Sequence, residues 1–459
     1  MRPGHERITA TSTAAVIRYH ARWVLPVGDA PIRDGSVVVD GERIAWVGPR
    51  ATAPAGADED LGDAILMPGL VNAHIHLDLA AFAGVLGGLG FFAWVRTLVR
   101  GLAEAASPEM LADASRWSVA DQLAHGVTAI GHTGPGRVAF DALREMGARG
   151  VAYLEVFGPD PAQCEASFGA LRAMVDHVRR GESALVRAGV SPHAPYSVSD
   201  ALYSRVAVWA REDSLPVAVH IAESDEESRY VAGGDGEFAS MLRARGIAVA
   251  PRAASPVALL ERTGVLSTKP LCIHAIRVDA ADIRRLALAG ATIAHCPRAN
   301  AWLQHGRAPV RALRDAGVPV GLGTDSIASN DAVRLLAEAR DAADDTLTPA
   351  ARVEMATRGG ARALGIESVT GTLAEGKFAD LTAFPVIDAR ACDAGPERYL
   401  LEHCAMSPAA LTVVAGAVRA RDGRATSDDA GLTARMDAHR ARIRSWASNS
   451  REPDSRFPA

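Results

Sequence analysis

Residues 67–78, MPGLVNAHIHLD, combine a short apolar run with two histidines that lie two positions apart. An apolar run of this length, closed by polar residues, predicts a buried β-strand that ends at His74 and His76. Side chains two positions apart on a strand point to the same side, so both imidazoles can face one ion. A His-x-His pair alone is a weak motif, and its meaning depends on the rest of the chain.

The middle of the chain repeats this pattern, with short apolar runs that alternate with longer helical stretches. The runs lie at 69–73, 127–130, 151–154, 186–190, 217–219, 271–273, 291–294 and 318–322. Strands that alternate with helices predict a parallel sheet. Eight such units in about 300 residues predict an α/β chain with a (β/α)8 TIM barrel that carries insertions.

Both ends of the chain have a different pattern, with short strands and turns. Residues 36–39 and 43–47 are strand-like, and Asp34-Gly35 and Asp40-Gly41 are hairpin signals. The same pattern returns between 371 and 423. We therefore expect a small composite β-sandwich domain built from both terminal regions.

These patterns divide the chain into four predicted segments. They are the N-terminal part of the β-sandwich at 13–67, the metal-dependent barrel at 68–367, the C-terminal part of the β-sandwich at 368–424, and a C-terminal helix with a disordered tail at 425–459.

Composition narrows the classes of partner. The net charge is −5 and 22% of residues are charged, which leaves no general electrostatic footprint for nucleic acid or for an anionic membrane. The five cysteines show no C-x-x-C spacing, and the N-terminus shows no signal peptide. The uncharged run at 79–95 is too short and too rich in glycine for a membrane helix, and it is expected to be a loop that lines a pocket. We therefore expect a cytoplasmic protein with a small-molecule partner.

Polar side chains close the predicted strands, which is where TIM barrels carry their active sites. They are His74, His76, His193, His220, Glu223, His274, His295, Asp325 and Ser326. A lone histidine at a strand end is more often structural, and His132, Glu155 and His295 can be explained in that way. The set as a whole predicts a site for Zn²⁺ or Fe²⁺ with one position open for water.

The motifs resemble those of the amidohydrolase superfamily, in the branch that holds cytosine deaminase, the triazine hydrolases and the methylthioadenosine/adenosylhomocysteine deaminases. The matching stretches are MPGLVNAHIHLD, GVSPHAPYSVS, VAVHIAE, PLCIHAI, IAHCPRAN, VGLGTDSIASN and GTLAEGKFADL. The resemblance implies one divalent metal, with Zn²⁺ as first choice and Fe²⁺ as alternative. Its implied ligands are His74, His76, His220 and Asp325.

Many amidohydrolases use two metals bridged by a carbamylated lysine at the end of the fourth strand. The chain has two lysines, Lys269 and Lys377, and neither lies at that position. A mononuclear site is therefore predicted.

The resemblance also implies roles for the other site residues. Glu223 matches the proton shuttle of the family, His274 matches the histidine that orients or polarises the bound water, and His193 matches a substrate contact. Asp325, as ligand and neighbour, would also accept the water proton. The implied reaction is hydrolytic deamination, in which water attacks an amino-bearing heteroaromatic carbon and ammonia leaves.

Two alternatives stay open. A ring hydrolase of the same fold could act on C–Cl or cyclic C–N bonds, since the ligands alone do not separate the two chemistries. A non-catalytic binding protein on the same barrel is the alternative from another class. The intact Glu223 and Asp325 argue against the binding protein, and His220-x-x-Glu223 favours deamination.

The segment after the first barrel strand bears on the substrate. Its aromatic run, Phe91-Phe92-Ala-Trp94, resembles the aminofutalosine deaminases of menaquinone biosynthesis, although these aromatic residues could equally be core. Methylthioadenosine/adenosylhomocysteine deaminases have a ribose-binding Glu about one helix later, where this chain has Ala103 with Glu104 adjacent. An aminopurine nucleoside such as aminofutalosine or an adenosine derivative is expected. The expected substrate contacts are His193, Trp94, Glu104, Arg137 and Ser326, and the family resemblance leaves a homodimer open.

Overall fold

The computed structural model describes residues 16–342, 346–427 and 429–449. Three features of the sequence lie outside this described part. They are the first residues of the predicted β-sandwich, the N-terminus without a signal-peptide pattern, and the predicted tail at 450–459.

The strands in the described part are numbered in chain order. They are β1 (Ile17–Val24), β2 (Ile32–Asp40), β3 (Arg43–Pro49), β4 (Ala57–Asp60), β5 (Ala64–Pro68), β6 (Leu70–Ile75), β7 (Val127–Gly134), β8 (Arg149–Val156), β9 (Val186–Pro192), β10 (Ala218–Ile221), β11 (Leu271–His274), β12 (Thr292–His295), β13 (Val320–Leu322), β14 (Leu381–Pro385), β15 (Leu411–Val414), β16 (Ala417–Arg421) and β17 (Arg424–Ala425).

The α-helices of the same part are also numbered in chain order. They are α1 (Phe91–Glu104), α2 (Pro108–Ala124), α3 (Val138–Met146), α4 (Cys164–Arg179), α5 (Asp200–Glu212), α6 (Asp225–Gly233), α7 (Gly236–Ala244), α8 (Pro256–Arg262), α9 (Ala280–Ala289), α10 (Pro297–Trp302), α11 (Val310–Asp315), α12 (Leu335–Asp341), α13 (Pro349–Glu354), α14 (Gly360–Ala363), α15 (Ala389–Asp393), α16 (Pro396–His403) and α17 (Ala430–Asn449).

Strands β6 to β13 form the barrel. They are arranged as two parallel four-stranded sheets, β6-β7-β8-β9 and β10-β11-β12-β13. Their residues are buried almost throughout, as expected of parallel strands that are covered on both faces. All eight predicted strands are present, and the predicted (β/α)8 fold is confirmed.

Two sets of hydrogen bonds join the two halves of the barrel. On one side, the Val190 N–H donates to the Pro216 carbonyl, and the His220 N–H donates to the His193 carbonyl at 2.9 Å. On the other side, the N–H groups of Thr324 and Asp325 both donate to the carbonyl of His74. Residues predicted to act in the site therefore also close the barrel.

Serine residues begin several of the helices that follow barrel strands. The Ser199 side chain accepts from the Leu202 N–H at the start of α5, and Ser224 accepts from the Glu227 N–H at the start of α6. Such caps satisfy N–H groups that have no partner within the helix. The cap at Ser224 also fixes the chain immediately after Glu223.

Strands from both ends of the chain form one mixed sheet in the order β17-β16-β15-β14-β5-β1-β2-β3, with β4 paired to β1. β5 joins the two contributions, because it pairs parallel with β1 and antiparallel with β14. The predicted turn at Asp40-Gly41 is confirmed. The predicted turn at Asp34-Gly35 is wrong: Gly35 pairs with both β1 and β3, and the left-handed Asp34, with φ of 48°, lies within β2.

The segment 79–95 differs from the predicted loop. A 3-10 helix occupies Leu77–Phe82, a glycine-containing turn follows, and α1 begins at Phe91. The residues of the 3-10 helix are all buried, because they pack beneath α2 and α17. No helix in the described ranges is long and apolar enough to cross a membrane.

A buried ion pair ties the barrel to the mixed sheet. Arg149, in the first position of β8, donates to both oxygens of Asp380, which immediately precedes β14. The side chains of the two residues are 2% and 0% exposed. Asp380 also accepts from the Ala415 N–H, and Arg149 donates to the Ala184 carbonyl, so both charges are fully engaged.

The substitution Arg149→Ala should lower the free energy of unfolding by about 3–5 kcal/mol, because it leaves the Asp380 carboxylate buried without its cation. Urea denaturation followed by circular dichroism measures this change. The control is Arg116→Ala, which breaks a surface pair with Glu145 and should cost at most about 1 kcal/mol. Equal, small losses for both variants would contradict the role assigned to the buried pair.

Candidate metal centre and active site

Four of the predicted site residues meet at the carboxyl edge of the barrel. His74 lies near the end of β6, His76 follows that strand, His220 lies in β10, and Asp325 follows β13. Each strand is short and buried, so its last side chains project from the barrel at this edge. The parallel arrangement therefore brings together residues separated by up to 251 positions in the chain.

The distances among these side chains are those of a compact cluster. The imidazole centroid of His74 lies 4.9 Å from that of His76 and 4.9 Å from that of His220. Asp325 Oδ1 lies 3.2 Å from His74 Nε2 and 3.5 Å from His76 Nε2. Candidate ligand atoms of His74, His76 and Asp325, and also those of His74, His220 and His274, lie within 4.8 Å of one another.

Burial determines the charge states of the cluster. It lowers the pKa of His74 and lowers the pKa of His76 to about 4, so both imidazoles are neutral near pH 7. Burial alone would raise the pKa of Asp325, but the hydrogen bond from His74 and the nearby imidazoles outweigh it and lower that pKa. Neutral imidazoles and an ionised carboxylate are the forms that bind a metal ion.

The donor set fits a divalent metal such as Zn²⁺ or Fe²⁺. His220 supports this fit, because its Nδ1 is buried and has no hydrogen-bond partner among the described residues. A buried polar atom without a partner is costly unless some group completes it. Neither lysine reaches the cluster: Lys377 donates to the carbonyls of Glu367 and Thr370, and Lys269 lies before β11, at the opposite end of the barrel.

The backbone around the cluster is held in an uncommon conformation. Ala222, His274 and Asp325 have φ values of 51°, 73° and 54°, in the left-handed region that non-glycine residues rarely adopt. Each such residue costs on the order of 1–3 kcal/mol and persists only when the surrounding structure enforces it. The three residues follow or end β10, β11 and β13, so the strain is concentrated where the site side chains project.

Glu223 and His274 face each other beside the cluster. Glu223 Oε1 lies 3.5 Å from His274 Nε2, and the other nitrogen, Nδ1, hydrogen-bonds Asn300 Oδ1 at 2.9 Å. The backbone N–H groups of Ala222 and Glu223 both donate to the carboxylate of Glu227, which holds the turn that carries Glu223. Burial alone would raise the pKa of Glu223, but the neighbouring His274 and His305 outweigh it and lower that pKa.

Three predicted substrate contacts lie around the cluster. The ring of His193 lies 4.8 Å from that of His220, and burial, followed by the effect of His76, lowers the pKa of His193 to about 3. Ser326 is buried and hydrogen-bonds Ser329, which in turn donates to Asp325 Oδ2 at 2.6 Å. The indole N–H of Trp94 donates to the Ala328 carbonyl, on the loop that follows Asp325.

The two other predicted contacts have partners elsewhere. Glu104 accepts from the indole of Trp446 on α17. Arg137 pairs with Asp141 at 2.7 Å and donates to His177 on α4. None of these bonds connects Glu104 or Arg137 to the cluster. Their roles as substrate contacts stay predictions.

Sequence reasoning treated Glu155 as structural, but the structure places it beside the cluster. Its carboxylate and candidate ligand atoms of His76 and His220 lie within 4.8 Å of one another, and its Oε1 has no hydrogen-bond partner in the described ranges. Its position one residue before the end of β8 was the available signal. His132, in contrast, accepts from the Leu77 N–H, as expected of a structural histidine.

Ser329 and His305 were also missed, although Ser329 lies within the matching stretch VGLGTDSIASN; no motif spacing indicated His305. Ser329 reaches Asp325 from the loop that follows β13. His305 lies beyond α10, and its Nε2 is 3.6 Å from Glu223 Oε1.

Residues 65–410 of the chain match the sequence model of the amidohydrolase family. The 5-methylthioadenosine/S-adenosylhomocysteine deaminase of Desulforudis audaxviator is 30% identical over 439 residues, which cover 92% of this chain and 97% of that protein. The aminodeoxyfutalosine deaminase of Deinococcus radiodurans is 32% identical over 354 residues, 72% of this chain and 81% of that protein. An adenosine deaminase from Xanthomonas campestris, crystallised with bound zinc, superposes with a TM-score of 0.81 at 27% identity, covering 94% of this chain and 99% of that one.

The chain belongs to the amidohydrolase family. The predicted family resemblance and the predicted fold are confirmed, as is the predicted enzyme class, a deaminase that acts on carbon–nitrogen bonds other than peptide bonds.

Removal of one imidazole should weaken metal binding. For His220→Ala we expect the affinity for Zn²⁺ to fall by at least about 10- to 100-fold, since loss even of an outer hydrogen-bond partner costs that much at known sites. Metal content after dialysis, measured by inductively coupled plasma mass spectrometry, tests this. His177→Ala, at an exposed position on α4, is the matched control and should retain the metal content of the unaltered protein. Equal metal content in both variants would exclude His220 as a ligand.

Proposed function

We propose that this chain is a metal-dependent hydrolytic deaminase that replaces the amino group of an aminopurine nucleoside with oxygen. The observation that carries the proposal is the contact between Glu223 and His274, 3.5 Å apart, beside the cluster of imidazoles and Asp325. A carboxylate and an imidazole so placed can move protons to and from a substrate held over the cluster. The relatives that carry deaminase names support the same reaction class.

In this proposal, His74, His76, His220 and Asp325 would hold one divalent metal, Zn²⁺ in preference to Fe²⁺. A metal in such a site supplies a water molecule whose pKa falls from about 15.7 toward about 7, as in zinc enzymes. The zinc in the structure of the Xanthomonas campestris adenosine deaminase supports this choice of metal.

Residues of the chain then transfer the protons and orient the water. Asp325 accepts a proton from the attacking water, and the hydrogen bond from Ser329 to Oδ2 keeps its carboxylate in place. His274 orients that water, with its ring held by Asn300. Glu223, which is ionised before the reaction, takes up one proton of the water and delivers it to the ring nitrogen next to the carbon under attack, and the proton that Asp325 accepts goes to the departing ammonia. A C–O bond replaces a C–N bond, and the two protons of the water end on the ring nitrogen and on the departing ammonia.

The nucleoside would lie between Glu223 and the side of the barrel that carries His193. His193 hydrogen-bonds Ser197 through Nδ1, which leaves its Nε2 for a substrate atom. Trp94 would contribute an aromatic face, because its N–H is already used by Ala328. Ser326 remains a proposed contact through its position next to Asp325, whereas Glu104 and Arg137 would have to leave their present partners to reach a nucleoside there.

The substrate class is tested by ammonia release from adenosine, methylthioadenosine, S-adenosylhomocysteine, aminofutalosine, guanine and cytosine. We expect release from at least one adenine nucleoside, with aminofutalosine or an adenosine derivative preferred, and loss of release after treatment with a chelator. Chloride release from a chlorotriazine, without ammonia release from any of these compounds, would instead show the ring-hydrolase alternative.

The substitution Glu223→Gln should retain the metal and lose turnover by about 10²- to 10⁴-fold, because the amide cannot deliver a proton. The matched control is Glu226→Gln, the same change three residues later at a partly exposed position, and it should keep the activity of the unaltered enzyme. The measurements are ammonia release and metal content. Full activity in Glu223→Gln would refute the assignment.

A further inference from the structure

A second imidazole approaches the same oxygen of Glu223 as His274 does. His305 Nε2 lies 3.6 Å from Glu223 Oε1, and His274 Nε2 lies 3.5 Å from that atom. His305 is 4% exposed, and its Nε2 has no hydrogen-bond partner in the part of the chain that the structure describes. Among the contacts described for His305 Nε2, the one with a hydrogen-bond acceptor is therefore the contact with the carboxylate of Glu223.

Asn300 holds both imidazoles. Its side-chain oxygen bonds Nδ1 of His274, and its backbone carbonyl accepts from the N–H of His305 at 2.8 Å. A left-handed conformation at Gln304, with φ of 60°, turns the chain back just before the second bond. A single residue of α10 thus holds the ring of His274 and the backbone that carries the ring of His305.

The surroundings of His305 fix its ring further. The edge of the ring meets Phe91, with the centroids 4.7 Å apart and the planes at 87°. His305 also lines a cavity of about 430 Å³, together with Phe91, Asp225, Arg229 and Arg277. Arg277 pairs with Asp225 at 2.9 Å, so this cation is already neutralised and does not compete for Glu223.

We propose that His305 is a positioning residue of the reaction, which donates from Nε2 to Glu223 Oε1 and so holds the carboxylate with Oε2 free for the ring nitrogen of the substrate. The inference rests on the proposed function, because it gives His305 its role through the proton carried by Glu223. Nε2 and Oε1 are 3.6 Å apart, and catalytic hydrogen bonds of this length commonly shorten when substrate binds.

Three variants separate positioning from packing. His305→Phe fills the same space without a donor, His305→Ala removes both, and His305→Gln keeps an N–H donor. We expect kcat to fall by at least about 10-fold in the Phe and Ala variants, with KM within about threefold and with the metal retained. We expect His305→Gln to recover most of the loss. His403→Phe, the same change at an exposed position of α16, is the control and should leave kcat unaltered.

A double-substitution cycle with Glu223→Gln adds a readout that packing would not change. If His305 acts through Glu223, then adding His305→Phe to Glu223→Gln should cause little further loss of kcat, because residues that act as a unit are not additive. Full activity of His305→Phe, an effect on KM alone, or fully additive losses would each overturn the inference. Full activity of Glu223→Gln would instead overturn the proposed function, so the two failures are distinguishable.

Discussion

The return of the chain from β13 to β6 is the interaction on which the site depends. The carbonyl of His74 accepts the N–H groups of both Thr324 and Asp325, and these bonds close the barrel between its first and last strands. The same closure brings the Asp325 carboxylate to the imidazoles of His74 and His76. Fold and ligand geometry are therefore not separable at this edge, since any shift in the register of β13 would move a proposed ligand.

This closure requires a backbone that few residues tolerate. Asp325 takes a left-handed φ, as do His274 and Ala222 on the neighbouring strands. The compensation comes from buried hydrogen bonds: Asn330 donates to the Thr324 carbonyl, and Glu227 accepts from the turn that carries Glu223. Part of the packing stability of the barrel is thus offset by the strain that holds a few side chains in one arrangement, as is common at functional sites.

The barrel fold and several of the site residues could be predicted from the sequence because periodic patterns indicate which residues are buried. The eight barrel strands, the histidines at their ends and the absence of a suitably placed lysine are all local features. Other contacts were not accessible: Ser329 lies in the stretch VGLGTDSIASN, but its bond to Asp325 depends on how that loop folds, and His305 reaches Glu223 across a turn defined by backbone angles. Glu104 was predicted as a substrate contact from its spacing, whereas its carboxylate accepts from the indole of Trp446, 342 residues away, a partner that no local pattern indicates.

Strand β5 has a consequence for the order of assembly. It pairs with β1 through neighbouring sequence, but its other edge waits for β14, which begins only at Leu381. During synthesis this buried edge stays unpaired until the whole barrel has emerged, and an unpaired strand edge is a template for association with other chains. The chain must therefore complete its barrel while the edge of β5 is still open, and β14 covers that edge only afterwards.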